Sequence, residues 1–416
     1  MNRTGPQPSR TPVRLRANGV PLPTGSSFQQ ALVEAAAVAN LSPSSHNCQP
    51  WGHAWLKSDR AKASAYELLD LLPGHDDATA GDPDNIYLAL AQDTDRSLTA
   101  LPAHSAEMHL SCGSYWHLLL RALAAQGWVP TAVHHIEPEA LDHAAHRAAA
   151  DSDWPRNWRM LSLAVLSRTG IPRSADLTDL RATATARHTN RAPYRDLRVA
   201  PEALHELAHL SPTAWATSNP PHVTVRHLRS PVELRRLATF IAHHAGRDFS
   251  DSAAWRETHS YFRWSAEDAA ARPDGFTPEQ VFGAVSTPRR LLARVALNPA
   301  ALPHLCRLGF DRYLGTQLAK TVHTTPVITA AGLPTDTPTA PDLLSAGMWL
   351  ANYWLTATQA GLALHPLSIL TQHEDLRSEL QQRFGLPGRT FFVARLGHPT
   401  TTTAATLRHT AATLTL

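Results

Sequence analysis

Cysteine is scarce in this sequence. The 416 residues include only three cysteines, Cys48, Cys112 and Cys306, which lie far apart and have none of the C-x-x-C spacing of metal or redox sites. Three thiols cannot all pair with one another, so a disulfide framework is not expected. The cysteine usage fits a reducing compartment, and we expect a cytoplasmic protein.

The sequence also lacks long apolar runs and a strong charge of either sign. No window approaches roughly 18 uninterrupted apolar residues, which excludes a membrane-spanning helix. Residues 1–25 are not followed by an apolar stretch of signal-peptide length, and they are predicted to form a flexible arm. The net charge is only +3 with histidines neutral, so no basic patch is expected. The sequence therefore predicts neither a membrane nor a nucleic acid as a partner.

Several cofactor and catalytic motifs are missing. The patterns G-x-G-x-x-G, G-x-x-x-x-G-K-[ST] and G-x-S-x-G do not occur, so a Rossmann domain, a phosphate-loop NTPase and an α/β-hydrolase lack their signatures. The 24 histidines include spaced pairs such as His205 and His209, but no carboxylate or thiolate cluster accompanies them. We therefore predict no metal site.

Apolar residues recur with helical and strand periods along the chain. Ser26 or Ser27 is placed to cap a first helix, and three- and four-residue steps predict a longer helix over 105–126. Two short apolar runs are typical of buried strands, over 128–136 and 160–166. This alternation predicts a mixed α/β (α+β) fold.

Two segments of the chain resemble each other. Residues 111–128 and 345–362 each begin Ser-x-Gly and place a second glycine 14 residues after the first. A short apolar strand follows each segment, and another strand comes about 30 residues later, as in a duplicated unit. A chance alignment of two amphipathic helices that end in glycine is the alternative. The duplication predicts a first lobe over 26–175 and a second lobe over 176–416.

A long segment separates the two copies. Residues about 201–320 are predicted to be a helical insertion in the second lobe, with an aromatic cluster of Trp255, Tyr261, Phe262 and Trp264. Long segments of this kind often form lids.

A dense polar loop lies between the first helix and a strand. Residues 43–51 read PSSHNCQPW, with prolines that restrict the backbone at both ends. Ser, Asn and Gln side chains offer donors and acceptors, which suit a flat ring edged by carbonyls and ring nitrogens. A hydrogen-bonded structural turn is the alternative interpretation.

Two further segments carry candidate binding groups. Residues 187–191 read RHTNR, and guanidinium groups form bidentate, charge-assisted bonds to phosphate. An exposed basic helix end explains this pattern equally well. Residues 361–368 read GLALHPLS and close the second repeat, where backbone groups are placed to face a flat ring. Arg395, at a later strand end, is a third candidate for a phosphate, or a partner for a surface acid.

Together these segments resemble the FMN-binding nitroreductase-like flavoproteins. PSSHNCQPW is similar to the family's Pro-Ser-x-x-Asn-x-Gln-Pro-Trp loop, RHTNR to its Arg-x-Ser-x-Arg segment, GLALHPLS to the stretch whose backbone meets the flavin, and RLGHP to its closing strand. Across 28–399 the order looks most like the Acg-type subgroup, in which two halves are fused. The resemblance implies a duplicated nitroreductase-like fold whose two helix-and-sheet lobes form an intramolecular pseudo-dimer.

The resemblance also assigns residues to the cofactor. In the family two subunits share each FMN, so a fused chain is expected to provide both sides, as a monomeric pseudo-dimer or as a homodimer. The implied cofactor-binding residues are Ser44, Ser45, Asn47, Gln49, Arg187, Thr189, Arg191, Pro366, Ser368 and Arg395.

The sequence departs from the family pattern in two ways. The arginine segment lies in the middle of the chain and no second Pro-Ser-x-x-Asn loop occurs, so we expect one flavin in each chain. Ser368 stands where simple nitroreductases commonly have an acid, so the surroundings of the ring are expected to differ.

The resemblance implies an FMN-dependent oxidoreductase. Flavin N5 would exchange hydride with a small-molecule or peptide substrate, in specialised metabolism, with NAD(P)H docking transiently as reductant and no protein nucleophile required. Tyr194, Tyr261 and Trp264 are candidates for the substrate face, although core or lid packing also explains them. The alternatives are a protein that sequesters FMN without turnover and a flavin-free structural protein.

Overall fold

The computed structural model describes most of the chain. The described residues are 27–70, 84–137, 154–168, 171–211, 222–283, 286–401, 406–410 and 413–416. The flexible arm predicted for residues 1–25 lies outside them.

Helices and strands alternate along the described residues. The strands are β1 Trp51–Leu56, β2 Ile86–Asp93, β3 Val129–His135, β4 Trp158–Ser167, β5 Thr224–Leu228, β6 Val327–Leu333, β7 Ala363–Pro366, β8 Arg389–Gly397 and β9 Thr413–Thr415. The helices are α1 Phe28–Ala39, α2 Asp59–Asp70, α3 Pro102–Ala124, α4 Ser174–Ala186, α5 Pro201–Ala208, α6 Pro231–His244, α7 Arg247–Ser250, α8 Ser252–Ser260, α9 Ala266–Ala271, α10 Pro278–Phe282, α11 Thr287–Ala296, α12 Leu302–Cys306, α13 Phe310–His323, α14 Ala340–Gln359, α15 Ile369–Gln372 and α16 Glu374–Phe384. The mixed α and β class predicted from the sequence is confirmed.

The strands form two sheets with the same internal order. Counted from the strand that follows the long helix, the first sheet runs β3-β4-β2-β1 and the second runs β7-β8-β6-β5. All of these neighbours are antiparallel. The duplicated two-lobe fold predicted from the repeated segments is therefore confirmed.

The long helices α3 and α14 cross where each carries a glycine. A Cβ atom on Gly113 would lie 2.1 Å from the backbone oxygen of Leu344, and one on Gly347 would lie 2.3 Å from that of Leu110. Each glycine thus meets the residue that stands three positions before the other glycine. The hydroxyl of Ser114 also donates to the carbonyl oxygen of Gly347 at 3.0 Å. These reciprocal contacts relate the lobes by a pseudo-two-fold axis and require the side chain at each crossing to be hydrogen.

The helix α3 lies largely inside the molecule, and even polar side chains such as Ser114 and His117 are buried there. Its side chains Tyr115, Trp116 and Leu119 are fully buried, and they join a core that also contains Leu344 and Met348 of α14. Burial of each large apolar side chain contributes roughly 2 kcal/mol relative to exposure. The core of the first lobe thus extends across the pseudo-two-fold axis.

The segment predicted as a helical insertion over 201–320 contains more than helices. It includes the strand β5, and α6 and α13 pack into the core of the second sheet, where Phe240 and Val322 meet Ile328. The helices α7 to α12 carry the aromatic cluster, in which Trp255 and Phe262 are buried.

The C-terminal strand crosses back to the first lobe. Strand β9 pairs in parallel with β1, and the carbonyl oxygen of Leu416 accepts the backbone N–H of Ser58 at 2.9 Å. The described segment 406–410 approaches the polar loop of the first lobe. The first sheet therefore contains a strand from beyond the boundary predicted at 175/176, whereas all strands of the second sheet follow that boundary.

Candidate functional site

A cavity of about 410 Å³ lies between the two lobes. Its size falls within the range of roughly 300–1,000 Å³ that is typical of small-molecule sites. Its wall includes eight of the ten predicted cofactor-binding residues: Ser44, Ser45, Asn47, Arg187, Thr189, Arg191, Pro366 and Ser368. Segments far apart in the sequence therefore meet in one place, as the resemblance implied.

The polar loop adopts an unusual backbone conformation. His46, Asn47 and Gln49 have φ angles of 50°, 54° and 52°, in the left-handed region that residues other than glycine rarely occupy. Each such residue costs on the order of 1 kcal/mol, and strain of this kind persists only where surrounding bonds stabilise it. The amide of Asn47 supplies two of them, because its Nδ2 donates to the carbonyl oxygens of Gly275 at 3.1 Å and Leu407 at 2.9 Å.

Gln49 supports this loop from behind and does not line the cavity. Its side chain is fully buried, with Nε2 donating to the carbonyl oxygens of Asn47 at 3.2 Å and Pro273 at 3.1 Å. Its Oε1 accepts the backbone N–H of His409 at 2.9 Å. The structure thus places Gln49 behind the loop, outside the cavity wall.

The arginine segment begins at the end of α4 and runs beside β7. The backbone N–H of Asn190 donates to the carbonyl oxygen of Leu364 at 2.8 Å, which fixes the segment against the second sheet. The Arg187 guanidinium lies over the Trp354 ring at 4.9 Å, and its Nη2 donates to the carbonyl oxygen of Leu41 at 3.1 Å. The segment therefore holds Arg187 between the two lobes.

Arg191 reaches the same cavity from the other end of the segment. Its Nη1 donates to the carbonyl oxygen of Gln280 in α10 at 3.2 Å. Burial lowers the pKa of Arg191 to about 10. Burial, and to a smaller degree the positive charge of Arg408, lowers the pKa of Arg187 to about 9.

Arg395 lies outside the cavity wall, beneath the arginine segment. Its side chain is fully buried, its Nε donates to Thr325 Oγ1 at 2.8 Å and its Nη2 donates to the carbonyl oxygen of Ala192 at 3.2 Å. The guanidinium also lies 4.6 Å from the ring of Tyr194. Arg395 thus holds the segment in place, and its donors are engaged by protein atoms.

Arg408 is the third cavity arginine, and sequence reasoning missed it. Its Nη1 donates to Asn47 Oδ1 at 2.7 Å and its Nη2 donates to the carbonyl oxygen of Leu41 at 3.3 Å. Burial lowers its pKa to about 10. The surrounding residues, rich in threonine and alanine, belong to no motif, so the sequence offers no signal for its position.

The charges in the cavity wall are unbalanced. Among the described residues, Arg187, Arg191 and Arg408 form no ion pair with a carboxylate, and the buried Nε of Arg187 meets no hydrogen-bond acceptor. Glu107 is the carboxylate in the described wall, and it is hydrogen-bonded to Ser45 and to Gln372 Nε2, the latter at 2.8 Å. The described part of the wall therefore carries three arginines and one carboxylate.

Aromatic side chains of the second lobe also line the cavity. They are Phe249, Trp255, Phe262, Phe276, Phe282, Trp354, Phe391 and Phe392. The candidates Tyr194, Tyr261 and Trp264 do not belong to this wall. Tyr194 donates from its hydroxyl to the carbonyl oxygen of Ala363 at 3.1 Å, and Trp264 stacks on Phe262 at 5.0 Å from behind.

Two absences apply to the described residues alone. No helix there is long and apolar enough to cross a membrane. No group of three or more His, Cys, Asp or Glu side chains is arranged there to hold a metal ion.

The chain is similar in sequence to "Probable NAD(P)H nitroreductase PigM" of Serratia sp. (strain ATCC 39006). The two are 28% identical over 381 residues, which cover 89% of each chain. No protein-family model matches the sequence.

Solved structures of nitroreductases are also similar to the chain. The FMN-dependent nitroreductase NfnB from Mycobacterium smegmatis, solved in complex with NADPH, is 18% identical with a TM-score of 0.32, covering 54% of this chain and 88% of that one. A nitroreductase with bound FMN from Desulfitobacterium hafniense DCB-2 is 14% identical with a TM-score of 0.31, covering 56% of this chain and 94% of that one.

Proposed function

We propose that this chain, which is 28% identical to a probable NAD(P)H nitroreductase, is a nitroreductase-like oxidoreductase that binds FMN in the cavity between its lobes. The observation that carries the proposal is the meeting, in one cavity, of the polar loop and three arginines that have no carboxylate partner among the described residues. A phosphate and a flat polar ring are the two chemical groups that such a wall suits best.

The three arginines of the cavity wall fit the phosphate of FMN. Buried guanidinium groups without counter-ions are costly unless an anion binds to them. Arg187 and Arg191 come from the two ends of one segment and Arg408 comes from the segment 406–410, so they are able to approach a phosphate from more than one direction. The Arg187 Nε, which has no acceptor among the described residues, would donate to it.

The polar loop and the strand β7 fit the ring. Ser44, Ser45 and Asn47 offer hydroxyl and amide groups from the first lobe, and Thr189, Pro366 and Ser368 come from the second. We assign Gln49 and Arg395 to positioning, since each holds a segment that provides contacting groups.

When bound, FMN supplies hydride exchange at its N5 atom, which needs no protein nucleophile. The chain binds the phosphate and orients the ring, and the aromatic side chains of the cavity wall exclude water. NADH or NADPH is proposed as the transient reductant, on the name of the relative.

The substrate is proposed to be a small molecule or a peptide, in specialised metabolism. The aromatic side chains of the cavity wall, among them Trp255, Phe262 and Phe276, support an apolar reacting group. Because one chain provides both sides of the site, we propose a monomeric pseudo-dimer over a homodimer, and the free cysteines favour a cytoplasmic location.

The test is an anaerobic absorbance spectrum of the purified protein before and after addition of NADH or NADPH. We expect a bound-flavin spectrum that either nicotinamide bleaches rapidly. Failure to bind FMN after attempted reconstitution would overturn the proposal.

A second candidate is a protein that sequesters FMN without turnover. Hydrogen bonds from the polar loop and from Arg191 to Gly275 and Gln280 close part of the second lobe over the cavity, which favours this reading. Bound flavin that resists both nicotinamides but is reduced by dithionite would support sequestration, or an oxidase driven by its own substrate.

A further inference from the structure

A line of hydrogen bonds runs along the cavity wall through Ser45 and His46 of the polar loop. Ser45 Oγ donates to the Glu107 carboxylate and lies 3.1 Å from His46 Nδ1. His46 Nε2 lies 2.9 Å from Thr258 Oγ1 in α8. All four side chains line the cavity, so the line connects Glu107 of α3 to Thr258 of α8 along the cavity wall.

The donors along this line have one consistent direction. Ser45 carries a single hydroxyl proton, and since it donates that proton to Glu107 it accepts from His46 Nδ1. His46 is then neutral with Nε2 unprotonated, which accepts the hydroxyl proton of Thr258. The carboxylate ends the line, and its other oxygen accepts from Gln372 Nε2 at 2.8 Å.

The groups around His46 keep its ring neutral. Burial lowers the pKa of His46 to about 3, with smaller contributions from the positive charges of His104 and Arg191. Tyr261, which follows α8, packs on the His46 ring with the ring centres 5.7 Å apart. His104, in α3, is paired with Glu257 of α8 at 2.9 Å. Glu107 is the carboxylate that reaches the ring through a hydroxyl.

We propose that Glu107, Ser45 and His46 form a proton relay that exchanges one proton with the substrate while hydride is exchanged at the flavin. The inference rests on the proposed oxidoreductase function. When a substrate is oxidised, bound FMN would supply the hydride acceptor, and the substrate's O–H or N–H proton passes to Thr258 Oγ1 while the Thr258 hydroxyl proton passes to His46 Nε2. The Nδ1 proton then moves to Ser45 Oγ, and the Ser45 hydroxyl proton moves to Glu107.

Reduction runs the same line in reverse. Protonated Glu107 gives its proton to Ser45, and Ser45 gives its own to His46 Nδ1. The Nε2 proton then passes to Thr258 Oγ1, and the Thr258 hydroxyl proton is delivered to the substrate oxygen or nitrogen. Solvent protonates Glu107 again. The two states of the relay differ by one proton and by the tautomer of His46. The substrate class is therefore one in which an O–H or N–H bond changes together with the hydride.

The relay separates the two half-reactions. Hydride transfer from NADPH to a flavin releases no substrate proton at an oxygen or nitrogen, whereas reduction of a quinone needs one. In stopped-flow measurements with NADPH and p-benzoquinone, we expect Glu107→Gln and His46→Gln to slow the quinone step by about 100-fold and to leave the NADPH step within about 2-fold. The parent protein should show a solvent deuterium isotope effect on the quinone step that both variants lose.

A control comes from a histidine outside the cavity wall. His209 is exposed, and its Nδ1 donates to the carbonyl oxygen of His205 at 2.8 Å. His209→Gln should keep the rate of the quinone step and the isotope effect of the parent. FMN affinity is measured for every variant, so that loss of cofactor is separated from loss of proton transfer.

A second readout needs neither flavin nor turnover. In spectra of the protein labelled with ¹⁵N-histidine, the His46 signal, identified by its loss in His46→Gln, should report the neutral Nδ1–H tautomer at pH 7. In Glu107→Gln that preference should weaken, because a Gln amide is able to donate to Ser45. An Nε2–H or doubly protonated ring in the parent, or an unchanged quinone step in Glu107→Gln, would overturn the relay. Absence of FMN binding with the expected tautomer would instead count against the proposed function alone.

Discussion

The two lobes share their scaffold but not their loops. Both have the same strand order, and both give a glycine to the helix crossing. Only the first lobe carries the Pro-Ser loop, and only the second carries the arginine segment with the aromatic helices α7 to α12. Packing constrains both copies equally because each must bury the same surface, whereas a single cavity needs each set of binding groups only once.

The helix crossing is where the lobes are most alike, so it gives the largest expected effect. We expect Gly113→Ala and Gly347→Ala each to lower the free energy of unfolding by about 3 kcal/mol, because the added methyl group meets a backbone oxygen of the other helix. Urea denaturation followed by circular dichroism measures it. The double variant should lose less than the sum of the two, since both changes act at one crossing. Tolerance of alanine at one glycine alone would contradict the reciprocal contact.

The arginines are where the lobes differ most. Arg408→Ala should weaken FMN binding by about 2 kcal/mol, or about 30-fold, because a charge-assisted bond to phosphate is lost. Fluorescence titration of the flavin measures the change. The surface arginine Arg383, paired with Glu379 on α16, provides the control, and Arg383→Ala should bind FMN as the parent does. Equal FMN affinity for Arg408→Ala and the parent would remove this residue from the site.

One pair of equivalent positions in α3 and α14 has a titratable side chain in the first lobe and an alanine in the second. His117 lies four residues after Gly113, and Ala351 lies four residues after Gly347. The His117 ring is fully buried with no partner for either nitrogen among the described residues, and burial lowers its pKa to about 3. Below about pH 6.5 His117 is protonated in the unfolded chain but stays neutral in the folded protein. The free energy of unfolding therefore falls as the pH falls.

His117→Leu should therefore reduce the acid sensitivity of the fold. Between pH 8 and pH 5 the parent should lose about 2 kcal/mol through this one histidine, and the variant should not. Unfolding curves at the two pH values measure the difference. His205→Leu, at an exposed helix position, should keep the pH dependence of the parent. An equal loss in His117→Leu and the parent would show that this ring is protonated in the folded state.

The smallest effect is expected where the two long helices end. Gly361 has a φ angle of 70° and open space around the position of a Cβ, and Gly127 has a φ angle of 87°. Gly361→Ala should cost about 1 kcal/mol, from backbone strain alone. Gly127→Ala should cost a similar amount. A loss as large as that of Gly113→Ala would mean that strain, and not contact, dominates at these glycines.

Sequence predicted the scaffold because packing leaves periodic traces. The equal spacing of Gly113 and Gly347 within their helices was enough to propose two copies, and Ser27 does cap the first helix by accepting from the N–H of Gln30 at 3.4 Å. Strand β5 was not predicted from the sequence. Its side chains are largely exposed or half-buried, so its residues lack the apolar pattern of a buried strand.

The candidate site was predicted as far as its motifs extend. A motif specifies residue types, but it does not specify which way a side chain turns from a loop or strand. Gln49 and Arg395 both turn away from the cavity and hold its segments by hydrogen bonds. Arg408 reaches the cavity only because the chain returns to the first lobe, a tertiary event without a local sequence signal.

The reciprocal contact of Gly113 with Leu344 and of Gly347 with Leu110 has an evolutionary consequence. In a homodimer, one codon change would alter both halves of such a crossing at once, and every change beside one cofactor would be copied beside a second. A fused chain inherits each half as a separate genetic locus. One half is then free to acquire new loops while the other keeps the ancestral contacts, so selection is able to specialise a single pocket without imposing the same change on a twin.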